Sequence, residues 1–327
     1  MMSRNAARIW LTELAMSTLA CVAPHAMAQG FPAKPIRLVV PFPAGGGTDT
    51  VARALGEGLA QELGQPIVVD NKAGAGTVIG NDAVAKSPPD GHTLLLNTSA
   101  FSIVPSLFPK LPYASDKAFA PIVLLGRAPN VAVVRPDSPL KSAADFLAQA
   151  RAHPGKLSYG SAGNGTSTHL AAELLKTTAK IHVTHVPYKG ASPVVTDLLG
   201  GQIDLAFATL PSVMPFIASG KLRVLAVTSA ARSPLLPEAP TFAESGVPSY
   251  QADVWYGVFA PAGTPAAIVD QLHGAFKRAA QAESFRKRAA SEGMQLTLDA
   301  PSETARVARA EEAKWRKVVK EQSIRMD

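Results

Sequence analysis

Hydrophobic positions along the chain follow two alternating rhythms. Short runs of β-branched and aliphatic residues are separated by stretches in which apolar residues recur every three or four positions. Ile36-Arg37-Leu38-Val39-Val40 predicts a strand and is followed by Gly45-Gly46-Gly47. Residues 51–63 predict a helix, with Val51, Leu55, Leu59 and Leu63 on one face and Gly64 as its terminating glycine. Residues 67–69 predict a second strand, 78–85 a short helix, and 93–96 a third strand after the turn Pro88-Pro89-Asp90-Gly91.

A second block begins near Pro129. Residues 131–134, 156–159, 183–186 and 203–207 predict strands, and 143–151, 169–178 and 194–199 predict helices between them. Residues 224–227 predict one more strand, returning toward the first block. Residues 264–290 and 301–320 carry amphipathic helical patterns that would cover the first block. Alternation of this kind predicts an α/β chain of two lobes, each a mostly parallel sheet flanked by helices. The expected division is lobe 1 from residues 29–127 plus 230–327 and lobe 2 from residues 128–229. Crossing segments would lie near 127–130 and 226–231. No repeat of 20–50 residues is seen, so a solenoid is not expected.

The first 28 residues carry a different signal. Arg4 and Arg8 precede a mostly apolar stretch from Leu11 to Ala23, and Ala26-Met27-Ala28 forms an A-x-A site. This is the pattern of a secretory signal peptide, with cleavage expected after Ala28. The stretch is shorter than the ~20 apolar residues of a membrane span. The chain carries a net charge of +7; cleavage removes Arg4, Arg8 and Glu13, which lowers it by one, to +6. The one cysteine, Cys21, leaves with the leader. A cysteine-free mature chain suits an oxidising compartment, and it excludes disulfides and cysteine-based zinc sites.

Two glycine-rich loops carry the candidate chemistry. The first, Pro41-Phe42-Pro43-Ala44-Gly45-Gly46-Gly47-Thr48-Asp49, joins a strand to a helix. Its glycines allow close backbone approach, and Thr48 or Asp49 is placed to cap the helix. The second, from Gly160 through Ser161, Ala162, Gly163, Asn164, Gly165, Thr166, Ser167 and Thr168 to His169, repeats the design. Unpaired N–H groups and the partial positive charge of a helix start favour a carboxylate or phosphate. One such loop on each lobe suggests a pincer across a cleft, since ligands of open α/β sheets sit beyond the carboxyl ends of the strands. Phe42 would supply an apolar wall.

Other chemistries find little support. The P-loop lysine is missing, and Thr168 stands where a dinucleotide fingerprint needs its third glycine. His182 and His185, three apart on an expected strand, point to opposite faces and make poor metal partners; no metal site and no cofactor are expected. No G-x-S-x-G elbow occurs, so a secreted hydrolase would have to pair Ser161 with His169, its one nearby base. The basic segments of residues 277–288 and 314–320 alternate with Glu and Ala and read as solvated helix faces, so nucleic acid is not an expected partner.

Several stretches, taken in order, resemble the signature of the tripartite tricarboxylate transporter receptor family, the Bug-type solute receptors. They are Val39-Val40-Pro41-Phe42-Pro43-Ala44-Gly45-Gly46-Gly47-Thr48-Asp49, Asn71-Lys72-Ala73-Gly74-Ala75-Gly76, Tyr159-Gly160-Ser161-Ala162-Gly163, Val186-Pro187-Tyr188-Lys189-Gly190, and the run from Trp255-Tyr256-Gly257 to Gly263-Thr264-Pro265. The resemblance implies a periplasmic binding protein of the Venus-flytrap, type II-like kind, expected to be a monomer and not an enzyme. It would capture a small carboxylate and deliver it to a two-component membrane permease or, alternatively, to a membrane sensor. Carried over residue by residue, it implies Phe42, Ala44, Gly45, Gly46, Gly47, Thr48 and Asp49 on one wall. Ser161, Ala162, Gly163, Thr166 and His169 would stand on the other, with Ser99 and Thr209 in the remaining strand-end loops.

Overall fold

The computed structural model describes residues 30–324, and the proposed signal peptide lies outside them. Within that span the chain forms two mixed sheets, each flanked by helices.

The first sheet is built around β1 (Ile36–Val40), which pairs in parallel with β2 (Ile67–Asn71) and β3 (Thr93–Thr98). Next to β3 runs β10 (Val254–Pro261), antiparallel to it. Then come β4 (Phe119–Ala128) and the edge strand β11 (Gln295–Asp299), each antiparallel to its neighbour. Every residue of β10 is buried, as expected for a strand covered on both faces. Helices α1 (Gly47–Leu63), α2 (Val78–Ala85) and α3 (Ala100–Leu107) follow β1, β2 and β3 in turn. The apolar stripe of α1 works as its spacing predicts: Val51, Leu55 and Leu59 are buried against Leu38 and Leu96, and Gly64 ends the helix at φ +65°.

The second sheet has the order β7–β6–β8–β5–β9, from β5 (Asn130–Val134), β6 (Ser158–Ser161), β7 (Thr184–Pro187), β8 (Leu205–Thr209) and β9 (Arg223–Val227). Its helices are α4 (Ala143–Ala152), α5 (Ser167–Ala179), α6 (Ala191–Leu199) and α7 (Leu210–Ala218). Here β6 is parallel to both β7 and β8, whereas β5 is antiparallel to both β8 and β9.

The expectation of mostly parallel sheets therefore needs correcting. The strands followed by site helices (β1, β2, β3, β6, β8) all end at the same gap. The chain also passes between the sheets at that gap, through Pro129, so β5 enters from the gap and must run the other way. The same holds for β10, whose first residue, Val254, pairs with Ala128, the last of β4.

The second passage also differs from expectation. At Thr228 the chain meets the crossing: Thr228 Oγ1 accepts from Asn130 N at 2.9 Å and lies 3.0 Å from the carbonyls of Asn130 and Ala252. It does not cross there. Residues 230–252 first cover the second sheet, where Phe242 and Tyr250 join a core with Phe146, Tyr159 and Phe207. Passage to β10 comes at Ala252–Val254, and β9 stays in the second sheet.

After β10 come α8 (Ala266–Ala279), α9 (Glu283–Ser291), β11 and α10 (Pro301–Glu321). The first two back the first sheet, as their patterns predict. Helix α10 does more, because it straddles both sheets. Val307 packs with Trp255 and Phe259 on one, while Trp315, Val318 and Val319 pack with Leu170 and Leu175 on the other.

Candidate functional site

The first loop owes its shape to a carboxylate that faces inward. Helix α1 starts at Gly47 with the extended Gly46 before it, and neither Thr48 nor Asp49 caps it from the expected position. Asp49 instead sits in the first turn and reaches back. Its Oδ2 accepts from the Gly45 N–H at 2.8 Å and from Arg53 Nε at 3.0 Å, while Oδ1 accepts from Asn71 Nδ2 at 3.0 Å. Asn71 Nδ2 also donates to the Phe42 carbonyl at 3.1 Å. Burial works to raise the Asp49 pKa, but the hydrogen bonds from Arg53, Gly45 and Asn71 outweigh it and hold the carboxyl below its ordinary value. Asp49 is thus spent on bracing the loop.

The second loop is held from below by a stack of rings. His185 lies between Tyr159, at 4.7 Å, and His169, at 4.1 Å between centroids. Ser161 Oγ is 2.7 Å from His185 Nε2, and the Gly165 N–H donates to His169 Nδ1 at 3.1 Å. That last bond requires Nδ1 to carry no proton. Burial pushes the pKa of His169 down to about 4 and that of His185 down to about 3, so both rings are neutral near pH 7. The approach of His169 Nε2 to Glu173 at 3.8 Å is then no ion pair. Above the stack, Thr166 caps α5 by accepting from His169 N at 3.4 Å and donates to the Gly163 carbonyl at 2.7 Å. Gly163 has φ +131°, and a Cβ there would stand 2.9 Å from the Tyr188 carbonyl oxygen, so a side chain is excluded.

Between the loops lies a cavity of about 630 Å³. Of the residues expected at the site, Phe42, Gly47 and Thr48 line it from the first sheet, and Ala162, Thr166 and Thr209 from the second. The others are not among its lining. Ala44, Gly45 and Gly46 are exposed beside it, while Asp49, Ser161 and His169 are buried framework. Gly163 shapes the second loop from behind. Ser99 is buried at the start of α3, its Oγ without a partner among the described residues.

The cavity also draws on residues that sequence reasoning did not place there. Asn164, Ser167 and Thr168 extend the second loop, and Ala73, Gly74 and Thr77 form a third strand-to-helix loop, after β2. The glycines of Asn71-Lys72-Ala73-Gly74-Ala75-Gly76, just past a predicted strand, were the signal for that loop. Pro129, Val254 and Tyr256 form the floor where the chain crosses between sheets. Glu292, just past α9, had no sequence signal, being one acid among many charged residues of an amphipathic segment. It is buried, its Oε1 is bonded to Arg288, and Arg288 donates to Thr50 Oγ1 at 2.6 Å. Burial raises the Glu292 pKa, with Arg288 opposing.

Most of the wall is apolar, and apart from Glu292, Asn164 and Tyr256 its polar groups are backbone amides and small hydroxyls at the strand-to-helix loops. Such a surface can orient an anion through N–H groups and enclose an apolar body. It presents no nucleophile from Ser161, which is 0% exposed and paired with His185 rather than His169. Among the described residues there is no cluster of three or more His, Cys, Asp or Glu able to hold a metal, and no helix long and apolar enough to cross a membrane.

Known proteins share this architecture. A family model described as the tripartite tricarboxylate transporter family receptor matches residues 51–324. BugT of Bordetella pertussis is 38% identical over 307 residues, covering 93% of this chain and 94% of its own. MatC from Rhodopseudomonas palustris, solved with bound malate, is 35% identical with a TM-score of 0.76, over 88% of this chain and 100% of that one. Another R. palustris protein, solved with adipate, is 36% identical with a TM-score of 0.78, over 90% of this chain and 99% of that one. With its two mixed sheets, the cleft between their glycine-rich loops and a match over most of its length, the chain belongs to the tripartite tricarboxylate transporter receptor family, as a Bug-type receptor.

Proposed function

We propose that this protein captures a small carboxylate in the periplasm, between its two lobes, and passes it to a two-component membrane permease. The observation that carries this reading is the cavity walled by two glycine-rich helix starts from different sheets, with no basic side chain in its lining among the described residues. N–H groups of Gly47 and Thr48 and of Asn164, Ser167 and Thr168, the amides of the second loop not already bonded within it, replace water around the ligand, and this favours the closed arrangement by differential affinity. The contact residues are Phe42, Gly47, Thr48, Ala162, Thr166 and Thr209, with Asn164, Ser167 and Thr168 beside them. The malate and adipate bound by the two R. palustris relatives are ligands of this chemical kind.

The lobes in this reading are residues 30–128 plus 253–324 and residues 129–252, with export directed by the leader and cleavage after Ala28. The receptor acts as a monomer, without cofactor, and does not transform its ligand. Handing the closed form to a membrane sensor is the alternative at the last step, and a pull-down from membranes with apo and liganded protein separates the two. The reading as a whole is tested by a thermal-shift screen over small acids, with native mass spectrometry of the protein as purified. A rise in Tm with chemically unchanged acid is expected. Turnover of an ester or amide that disappears in Ser161→Ala would overturn it.

A further inference from the structure

Among the described residues the cleft holds one charged side chain, and its sign is the opposite of what an anion site calls for. No lysine, arginine or histidine lines the cavity among the described residues, and its one carboxylate is Glu292. Glu292 is 4% exposed. It stands between the two walls. Its Oε2 is 3.0 Å from the point where a Cβ on Gly47 would sit, and a Cβ on the adjacent Gly293 would be 2.8 Å from Leu210 Cδ2, at the start of α7. Oε1 is taken by Arg288. Among the described residues, Oε2 has no donor.

This placement divides the labour of the two helix starts. A ligand carboxylate seated at α1 would meet the Glu292 carboxylate in a poorly hydrated space, where like charges repel strongly. The α5 loop has no such neighbour. Its lining residues Ala162, Asn164, Gly165, Thr166, Ser167 and Thr168 are all neutral. Between the two ends the wall is apolar, with Phe42, Val104, Leu107, Pro129 and Val254.

We propose that Glu292 determines specificity. Its free oxygen accepts a hydrogen bond from a donor at one end of the ligand, while the α5 loop holds the ligand's carboxylate at the other. The substrate class is then a short carboxylate that ends in an ammonium or hydroxyl group across an apolar middle, rather than a dicarboxylate. This rests on the receptor reading above and narrows it.

The test is titration calorimetry of the full mature protein with three acids of matched length: 6-aminohexanoate, 6-hydroxyhexanoate and adipate. One of the two donor acids should bind roughly tenfold or more tightly than adipate, the scale of one charge-assisted hydrogen bond gained and one repulsion avoided. In Glu292→Gln, whose amide can donate to a carboxylate, that preference should collapse to about twofold or reverse. The ligand comparison on the unmodified protein stands whether or not the variant folds. Adipate binding as tightly as both donor acids would overturn the inference, and so would a preference that survives Glu292→Gln; either leaves the carboxylate receptor intact. No heat from any of the three acids or from malate would count against the receptor itself, and this inference would fall with it.

Discussion

The substitution Asp49→Ala takes one acceptor away from three donors, the Gly45 N–H, Arg53 Nε and Asn71 Nδ2. Their costs differ. Arg53 is 53% exposed along its side chain and can turn to water, so its share is at most ~0.5 kcal/mol. Gly45 is also exposed and recovers part of its bond from solvent. Asn71 keeps the Phe42 carbonyl through the same Nδ2 but loses its second partner. A hydrogen bond to a charged group contributes about 1.5–3 kcal/mol before such discounts, so the three together come to about 2–3 kcal/mol. In urea, with a slope near 3 kcal/mol/M for a chain of this size, the midpoint should fall by about 1 M. Affinity for a carboxylate should fall several-fold as the start of α1 loosens, although Asp49 does not line the cavity. A midpoint within about 0.2 M of the parent, combined with a tenfold or greater loss of affinity, would refute the bracing role. Asp49 would then touch the ligand directly.

Other substitutions probe the rest of the frame. Gly163→Ala forces a Cβ against the Tyr188 carbonyl at a positive φ and should cost about 1–3 kcal/mol while weakening ligand binding; thermal melts and titrations on one sample check both. The buried histidines make stability pH-dependent. Their folded pKa values lie below the unfolded value near 6.5, so the unfolded chain takes up protons first. Stability is full above pH 6.5 and should drop by about 1.4 kcal/mol per pH unit for each ring as the pH falls toward 4. Urea titrations at several pH values should show this slope, and it should shrink in His185→Gln. Trp315→Ala removes the anchor of α10 on the second sheet and should destabilise by about 3–5 kcal/mol, read as a lower midpoint. A shift under about 1 kcal/mol would mean that α10 does not tie the two sheets.

What the sequence showed and what it hid divide along physical lines. Residues 36–40 and 51–63 were legible because β-branched residues gave way to a stripe with a four-residue step, and the glycines between them marked the loop. Both glycine-rich loops were located in this way. Strand β10 was hidden because all eight residues are buried, so nothing alternates along it, and Gly126 and Pro121 obscured β4. Helices α3 and α7 escaped through internal prolines, Pro105 and Pro215. The site residues failed for another reason. Asp49 finds its partner Asn71 22 positions away, and Ser161 finds His185 24 positions away. Local pattern makes these polar residues look available to a ligand, and only the tertiary fold shows that they are already used. Glu292 is the reverse case, a residue that looks like solvated surface and stands in the cleft.

Hydrogen–deuterium exchange with and without a saturating carboxylate tests the central claim most directly, using the acid that raises Tm most in the screen. If both loops close on the ligand, exchange should slow together at residues 47–48 and at Asn164, Ser167 and Thr168, with little change at Val68 on the outer edge of the first sheet. Tight binding that protects only one of those loops, or neither, would contradict the account.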